Sequence, residues 1–276
     1  MFASALITLR EGLEATLIVG IILSVLDKLG GGDRRRTVWM GVVTAVLVSV
    51  SAGLALNALG VALEGRGEKI FEGLSMLLAA AVLTWMVFWM ARQARHIRTD
   101  LEREVRRAVF EDSGWALFSL AFVAVVREGI ETVLFLTAAA FSAAPAQTLF
   151  GGALGLSIAV VLGWLIFAVG KQLDVRAFFR VTGALLILFA AGLLAHGVHE
   201  LQEAALLPVL VEHVWDVNHI LPEDGPVGAF LKALFGYNGN PSLLETLSYV
   251  AYFLLIYLAT HSNGRSIMAT TATENA

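Results

Sequence analysis

One charged pentapeptide occurs twice inside apolar sequence, as Arg10-Glu11-Gly12-Leu13-Glu14 and as Arg127-Glu128-Gly129-Ile130-Glu131, an offset of 117 residues. At about 100° per residue, the arginine and the two glutamates of each copy fall within an arc of about 100° on a helix. Each copy thus turns one guanidinium and two carboxylates to a single side. Ionisable groups buried in a bilayer are costly, by about 2.5 to 3.5 kcal/mol each, and they line a pathway or pair with one another. Here four acids face two arginines, a formal surplus of two negative charges that a bound polyvalent cation would neutralise. Pairing each arginine with the glutamate four positions on would make a structural lock between helices. That lock accounts neither for the second glutamate of each copy nor for the repetition. Gly12 and Gly129 permit close helix contact.

A second constellation is His196, His199, Glu200 and Glu203. On a helix these lie at about 0°, −60°, +40° and −20° relative to His196, one face able to ligate or relay a divalent or trivalent metal. Glu72 is deep enough to belong to the same pathway, whereas Glu64 and Glu68 fall in water. Asn57 and Glu245 are isolated polar positions, expected to make packing or interfacial contacts. Met86 and Met90 have the spacing of a soft copper(I) pair, but with no cysteine and no third methionine nearby they are expected to be apolar packing. The metal candidates are therefore Glu11, Glu14, Glu128, Glu131, Glu72, His196, His199, Glu200 and Glu203, with Arg10 and Arg127 as charge partners. Carboxylates with some imidazole suit iron(II), iron(III), manganese or zinc better than copper(I). Periodicity does not choose among them.

The elements that must hold these residues are set by composition. The 276 residues are 58% hydrophobic and 15% charged, with a mean hydropathy of +0.77, where a soluble domain carries about 25% charged residues. This is the composition of an integral membrane protein. The absence of cysteine excludes disulfides, thiolate metal sites, iron–sulfur clusters and a cysteine nucleophile. A net charge of −4 without a long basic run gives nucleic acid no electrostatic footprint, and no Gly-rich nucleotide-binding loop is present. Apolar runs measured against about 20 residues per span predict seven helices, near 2–27, 38–63, 70–91, 114–140, 148–170, 178–203 and 242–261. Arg10, Glu11 and Glu14 interrupt any signal-peptide core, so the first is expected to be a retained helix.

Connections on one side carry Lys28, Arg34, Arg35 and Arg36, then Arg92, Arg95, Arg98, Arg103, Arg106 and Arg107, then Lys171, Arg176 and Arg180, and finally Arg265; the other side has Arg66, Lys69 and Lys232. This asymmetry places the N-terminus outside and the C-terminus in the cytoplasm. A three-helix repeat is odd in number, so its second copy runs through the membrane in the opposite sense, the inverted-repeat plan of secondary transporters, and the two motifs meet near mid-membrane. The expected organisation is one permease domain over 1–276. It comprises repeat one about 1–91, a solvated cytoplasmic connector 92–112, repeat two about 113–203, an external loop 204–241, a seventh helix about 242–261 and a tail 262–276. The external loop holds Glu212, Asp216, Glu223, Asp224, His213 and His219 against a single Lys232, an acidic mouth that would concentrate cations.

The doubled Arg-Glu-Gly-Leu/Ile-Glu motif in a seven-helix chain resembles the oxidase-dependent iron permease family, which includes the fungal high-affinity iron permeases and the bacterial EfeU-type permeases. The stretch Gly197-Val198-His199-Glu200-Leu201-Gln202-Glu203 is similar to the bacterial branch, and the resemblance covers all seven spans. It implies an all-α, non-enzymatic permease of the inner (cytoplasmic) membrane that imports Fe2+ or Fe3+. Glu11, Glu14, Glu128 and Glu131 would be the translocation carboxylates and Arg10 and Arg127 their charge partners. Iron is then the transported substrate, with no tightly bound cofactor. The resemblance also implies iron-handling or oxidase proteins outside: a multicopper oxidase in fungi, and in bacteria a periplasmic cupredoxin-like protein with a haem peroxidase. Ile130 stands where the commonest motif has leucine, a change that leaves ligation intact. Some members are associated with lead uptake, so another heavy divalent metal is an alternative cargo. An intramembrane zinc-dependent hydrolase built on His196, His199 and a glutamate is an alternative of another class. It would leave the repeated motifs unexplained, and no His-Glu-x-x-His signature is present. A metal receptor would bind without flux, and the sequence offers no output domain for one.

Overall fold

Only five prolines occur in the chain; Pro145 and Pro226 begin helices, and Pro208, Pro222 and Pro241 fall between 204 and 242. Proline at a first helical position lacks only a donor that has no partner anyway, so no long apolar run is broken from within. The computed structural model describes residues 1–93, 97–141, 145–167, 174–223 and 225–274. Arg95, Lys171 and Asp224, and the side chains of Arg92, Arg98 and Arg265, lie outside the described residues.

Seven long helices follow one another: α1 Phe2–Lys28, α2 Arg35–Ala62, α3 Arg66–Gln93, α5 Gly114–Phe141, α6 Pro145–Phe167, α7 Val175–Glu203 and α9 Leu243–Glu274. Two short ones are α4 Ile97–Phe110 and α8 Pro226–Phe235, and no strand occurs among the described residues. Helices α2, α3, α6, α7 and α9 are long and apolar enough to cross a membrane, so the chain is an integral membrane protein. Helices α1 and α5, of 27 and 28 residues, have the same reach of about 40 Å and differ in carrying the charged pentapeptides. Apolar side chains such as Leu54 and Val61 of α2, Val160 and Trp164 of α6, and Leu254 and Leu255 of α9 point outward, as a lipid-facing surface requires. The element boundaries differ from expectation mainly at ends, because capping and pairing charges extend helices past the apolar runs. Asp174, for instance, caps α7 by accepting from the Ala177 N–H at 3.0 Å.

The principal packing pairs are α1 with α6, α2 with α5 and α3 with α7, and α1 also crosses α5. Small residues make these approaches possible. A Cβ at Gly151 or Gly155 of α6 would stand 2.1 Å from the carbonyl oxygen of Met1 or Ala5, and one at Gly163 would strike Thr16. On the other side, Gly41 of α2 meets the Phe118 carbonyl and Gly53 meets Val133, both on α5. The motif glycines do the same work: Gly12 packs on Leu156 and Ala159 of α6, and Gly129 on Ser49 of α2.

The connector, expected to be solvated, forms helix α4 over Ile97–Phe110, with one face exposed and another docked. Helix α4 buries Leu101, Val105 and Ala108 against Ile22, Val25 and Leu26 of α1 and Leu117 of α5, while Asp100, Glu104, Arg107 and Glu111 follow its polar side. Within the segment 204–241, Glu212, His213 and Asp216 are exposed, and backbone and side-chain bonds tie other parts of it down. Val214 and Val217 donate to the carbonyls of Pro241 and Gly239, and Glu223 accepts from Lys232 Nζ at 3.1 Å and from the Gly239 N–H at 2.7 Å. Helix α8 ends at Gly236, whose φ of +66° and contact with Gly192 of α7 leave no room for a side chain.

Candidate metal centre between the two charged helices

Where α1 and α5 cross, the two pentapeptides meet and repeat one local pattern. Arg10 Nη1 lies 3.2 Å from Glu11 Oε1, and its Nη2 lies 3.2 Å from Glu14 Oε1. Arg127 Nε donates to Glu128 Oε1 at 3.0 Å, reinforced by Nη2, and lies 3.7 Å from Glu131 Oε1. Each arginine thus hydrogen-bonds the glutamate beside it and stands within ion-pair distance of the one a turn later. Among the motif oxygens, Oε2 of Glu11, Glu128 and Glu131 and Oε1 of Glu14 are buried and have no hydrogen-bond partner.

Glu11, Glu128 and Glu131 can each bring a carboxylate oxygen within 4.8 Å of the others, the one group of potential ligands this close among the described residues. Glu14 stays with Arg10 and is not part of that group, so of the four motif carboxylates the structure brings three together. Three carboxylate oxygens beside two guanidiniums at this crossing suit a hard or borderline cation. The motifs differ in one respect: the Arg10 side chain is 1% exposed and that of Arg127 43%.

The arginines are held in turn by α3. Arg10 Nη1 donates to Met86 Sδ at 2.9 Å, and the Arg127 guanidinium stands 5.0 Å over the Trp89 ring. Phe179 of α7 lies 5.9 Å from the Arg10 guanidinium. Met86, expected as packing alone, also accepts a hydrogen bond from Arg10, and Trp89 was not anticipated. Neither has a charge or a motif to betray it; only the packing of α3 reveals them.

The second constellation is drawn together differently from the expected four-ligand face. Lys69 of α3 inserts its ammonium among the acids, 2.9 Å from Glu200 Oε2, 3.0 Å from Glu203 Oε2 and 4.0 Å from Glu72 Oε2. His199 bonds Glu203 through Nε2 at 3.1 Å and Glu245 through Nδ1 at 3.0 Å. His196 turns back, its Nδ1 3.2 Å from the Gly192 carbonyl, so the two imidazoles do not converge. Glu245, expected as an isolated contact, is a hub that also accepts from Asn238 Nδ2 at 2.8 Å and the Ser242 N–H at 3.1 Å. The sequence signal for Lys69 was its place three residues before Glu72; for Glu245 it was an acid alone at the head of an apolar helix.

Residues 1–268 match the family described as iron permease FTR1. The chain is 36% identical over 256 residues to a protein named ferrous iron permease EfeU from Escherichia coli O6:K15:H31, covering 92% of this chain and 93% of the relative. It is 34% identical over 275 residues, 98% of both chains, to the protein of that name from Yersinia pestis. A relative from Escherichia coli strain K12, also 36% identical, carries the word inactive in its name. No solved structure matches the chain.

Proposed function

The chain belongs to the iron permease FTR1 family, and on that premise we propose that it carries Fe2+ into the cell across the cytoplasmic membrane, through the carboxylates of its two Arg-Glu-Gly-x-Glu motifs. The observation that carries this reading is the convergence of Glu11, Glu128 and Glu131, each with one oxygen on an arginine and the other buried without a partner. A buried acceptor lacking a donor is unfavourable by about 1–3 kcal/mol, more when charged. A divalent cation relieves several of them at once. The ferrous state follows the names of the relatives; Fe3+ and another heavy divalent metal such as lead are the competing cargoes.

In this reading the seven long helices all span, with the N-terminus outside, and α1–α3 and α5–α7 are inverted repeats. Interchanging the halves turns the α1–α6 pair into α5–α2 and returns α3–α7 to itself. Gly41 and Gly53 of α2 have the spacing of Gly151 and Gly163 of α6 and face matching stretches of α5 and α1. Both facts support the repeat, and inverted repeats hold their substrate near the bilayer midplane. Iron is received at the outer ends of α3 and α7, where Glu72, His199, Glu200 and Glu203 gather with His196 one turn deeper, and it then binds between α1 and α5. Iron-handling or oxidase proteins outside the membrane deliver it.

Uptake of radioactive iron into proteoliposomes tests this, with iron offered as Fe2+ under reductant, as chelated Fe3+, or in competition with Pb2+. Wild type is expected to accumulate Fe2+, and Glu131→Gln to lose accumulation while still inserting. Protein-independent flux in every case would overturn the permease reading, and Fe3+ or Pb2+ preference would correct the cargo.

A further inference from the structure

A cleft of about 630 Å³ lies beside the carboxylate group, between α4 and α5. Along α5 its wall runs from Ala116 to Arg127, about three turns or roughly 16 Å. Helix α4 supplies Asp100, Glu104, Arg107 and Glu111, whose spacing makes one polar stripe about 100° round the helix from the stripe that α4 buries on α1, and Leu101 and Ala108 of that buried stripe also reach the cleft. Arg127 and Trp89 also line the cleft. The same Arg127 binds Glu128 and Glu131, so a single side chain touches both the cleft and the carboxylate group.

Arg10 and Arg127 stand in matching motifs with matching partners, yet one is sealed and the other is 43% exposed, on the cleft side. A guanidinium that deep in a membrane is tolerated where it meets water or protein, not hydrocarbon. The cleft's charged lining other than Arg127 comes from α4, where Arg107 binds Glu111 at 2.8 Å beside Asp100 and Glu104, which is the order expected of a passage wetted from the α4 side.

We propose that this cleft is the water-filled inner vestibule of the permeation route, taken by a hydrated divalent cation as it leaves the carboxylate group, and that the Arg127–Trp89 pair is the wall between the two. The structure is then open toward α4 and shut at Arg10. The identity of the ion rests on the permease reading; the wetness of the cleft does not.

The chain has no cysteine, so single cysteines at Ser119 and Ala124, both on the cleft wall, report without background. The full-length protein in membrane vesicles of either orientation is treated with a charged, impermeant methanethiosulfonate or with N-ethylmaleimide. A cysteine at Val160, an outward-facing position on α6, serves as reference. Modification of Ser119→Cys and Ala124→Cys by the charged reagent, at least tenfold faster than at position 160 and only from the α4 side, is the expected result. Reaction with the maleimide alone would make the cleft a lipid-facing groove, reaction with neither would make it a covered interface, and reaction from the opposite side would reverse it; each overturns the proposal. Full modification of Ala124→Cys is further expected to block iron uptake by that variant, and undiminished uptake would place the route elsewhere. Labelling is read without transport, whereas uptake by the unmodified protein decides the permease reading, so the two failures are distinguishable.

Discussion

Arg10 and Arg127 are held by residues three positions apart on α3, one by a thioether and the other by an indole. Met86→Leu keeps the volume of the buried side chain, a change that cores tolerate, and removes the acceptor of the Arg10 hydrogen bond. Arg10 then settles more firmly on Glu11 and Glu14, in competition with the cation. A bond of this kind is worth about 1 kcal/mol, so the KM for iron uptake is expected to rise about fivefold with the maximal rate and the melting temperature little changed; an unchanged KM would remove Met86 from any positioning role. At this scale the sequence was informative about charges and silent about their partners. Helical periodicity put Glu11 and Glu14 on the side of Arg10, and Glu128 and Glu131 on that of Arg127. It could not say that Glu131 joins the three-carboxylate group while its counterpart Glu14 stays with Arg10, because that depends on how α1 and α5 cross. Lys69 among Glu72, Glu200 and Glu203, and His196 turned from His199, were hidden for the same reason: each depends on a facing helix.

Helices were legible from apolar run length, and all seven predicted ranges have a long counterpart. Their pairing was not legible, since runs of alanine, leucine and valine are nearly alike from helix to helix. The glycines carry that information, but only once their neighbours are known. At Gly155 a methyl group would stand 2.1 Å from a backbone oxygen of α1, which no rotamer can relieve. Gly155→Ala must separate α1 from α6 and is expected to destabilise the protein by about 1–3 kcal/mol, seen as a lower midpoint of thermal unfolding in detergent together with reduced uptake. Gly32→Ala, in open space, should leave both unchanged. Equal effects at the two positions would show that the close approach does not hold the helices. Helix α4 shows the other limit of the sequence reading. Its charges of mixed sign pointed to solvent, while Leu101, Val105 and Ala108 on the neighbouring face dock it against α1.

For the molecule as a whole, composition alone established membrane residence, and the doubled motif pointed to the iron permease family. Inward transport, as proposed, would find a drive in charge alone. A cation drawn inward gains about 2.3 kcal/mol per charge per 100 mV, and the sequence holds no nucleotide-binding loop to replace that drive. An inside-negative potassium diffusion potential is therefore expected to accelerate Fe2+ uptake into proteoliposomes severalfold, and an inside-positive one to suppress it; insensitivity to both would require a coupled counter-ion. In the proposed route iron enters at the ends of α3 and α7 where the ammonium of Lys69 already occupies Glu200 and Glu203. Because it is tethered, its local concentration does not fall when the medium is dilute. Sodium and potassium meet there a monovalent rival that never leaves, and an ion of higher charge has the advantage in displacing it. The mouth is thus biased against the abundant salts by a competitor built into its own chain, before any geometry of coordination is consulted.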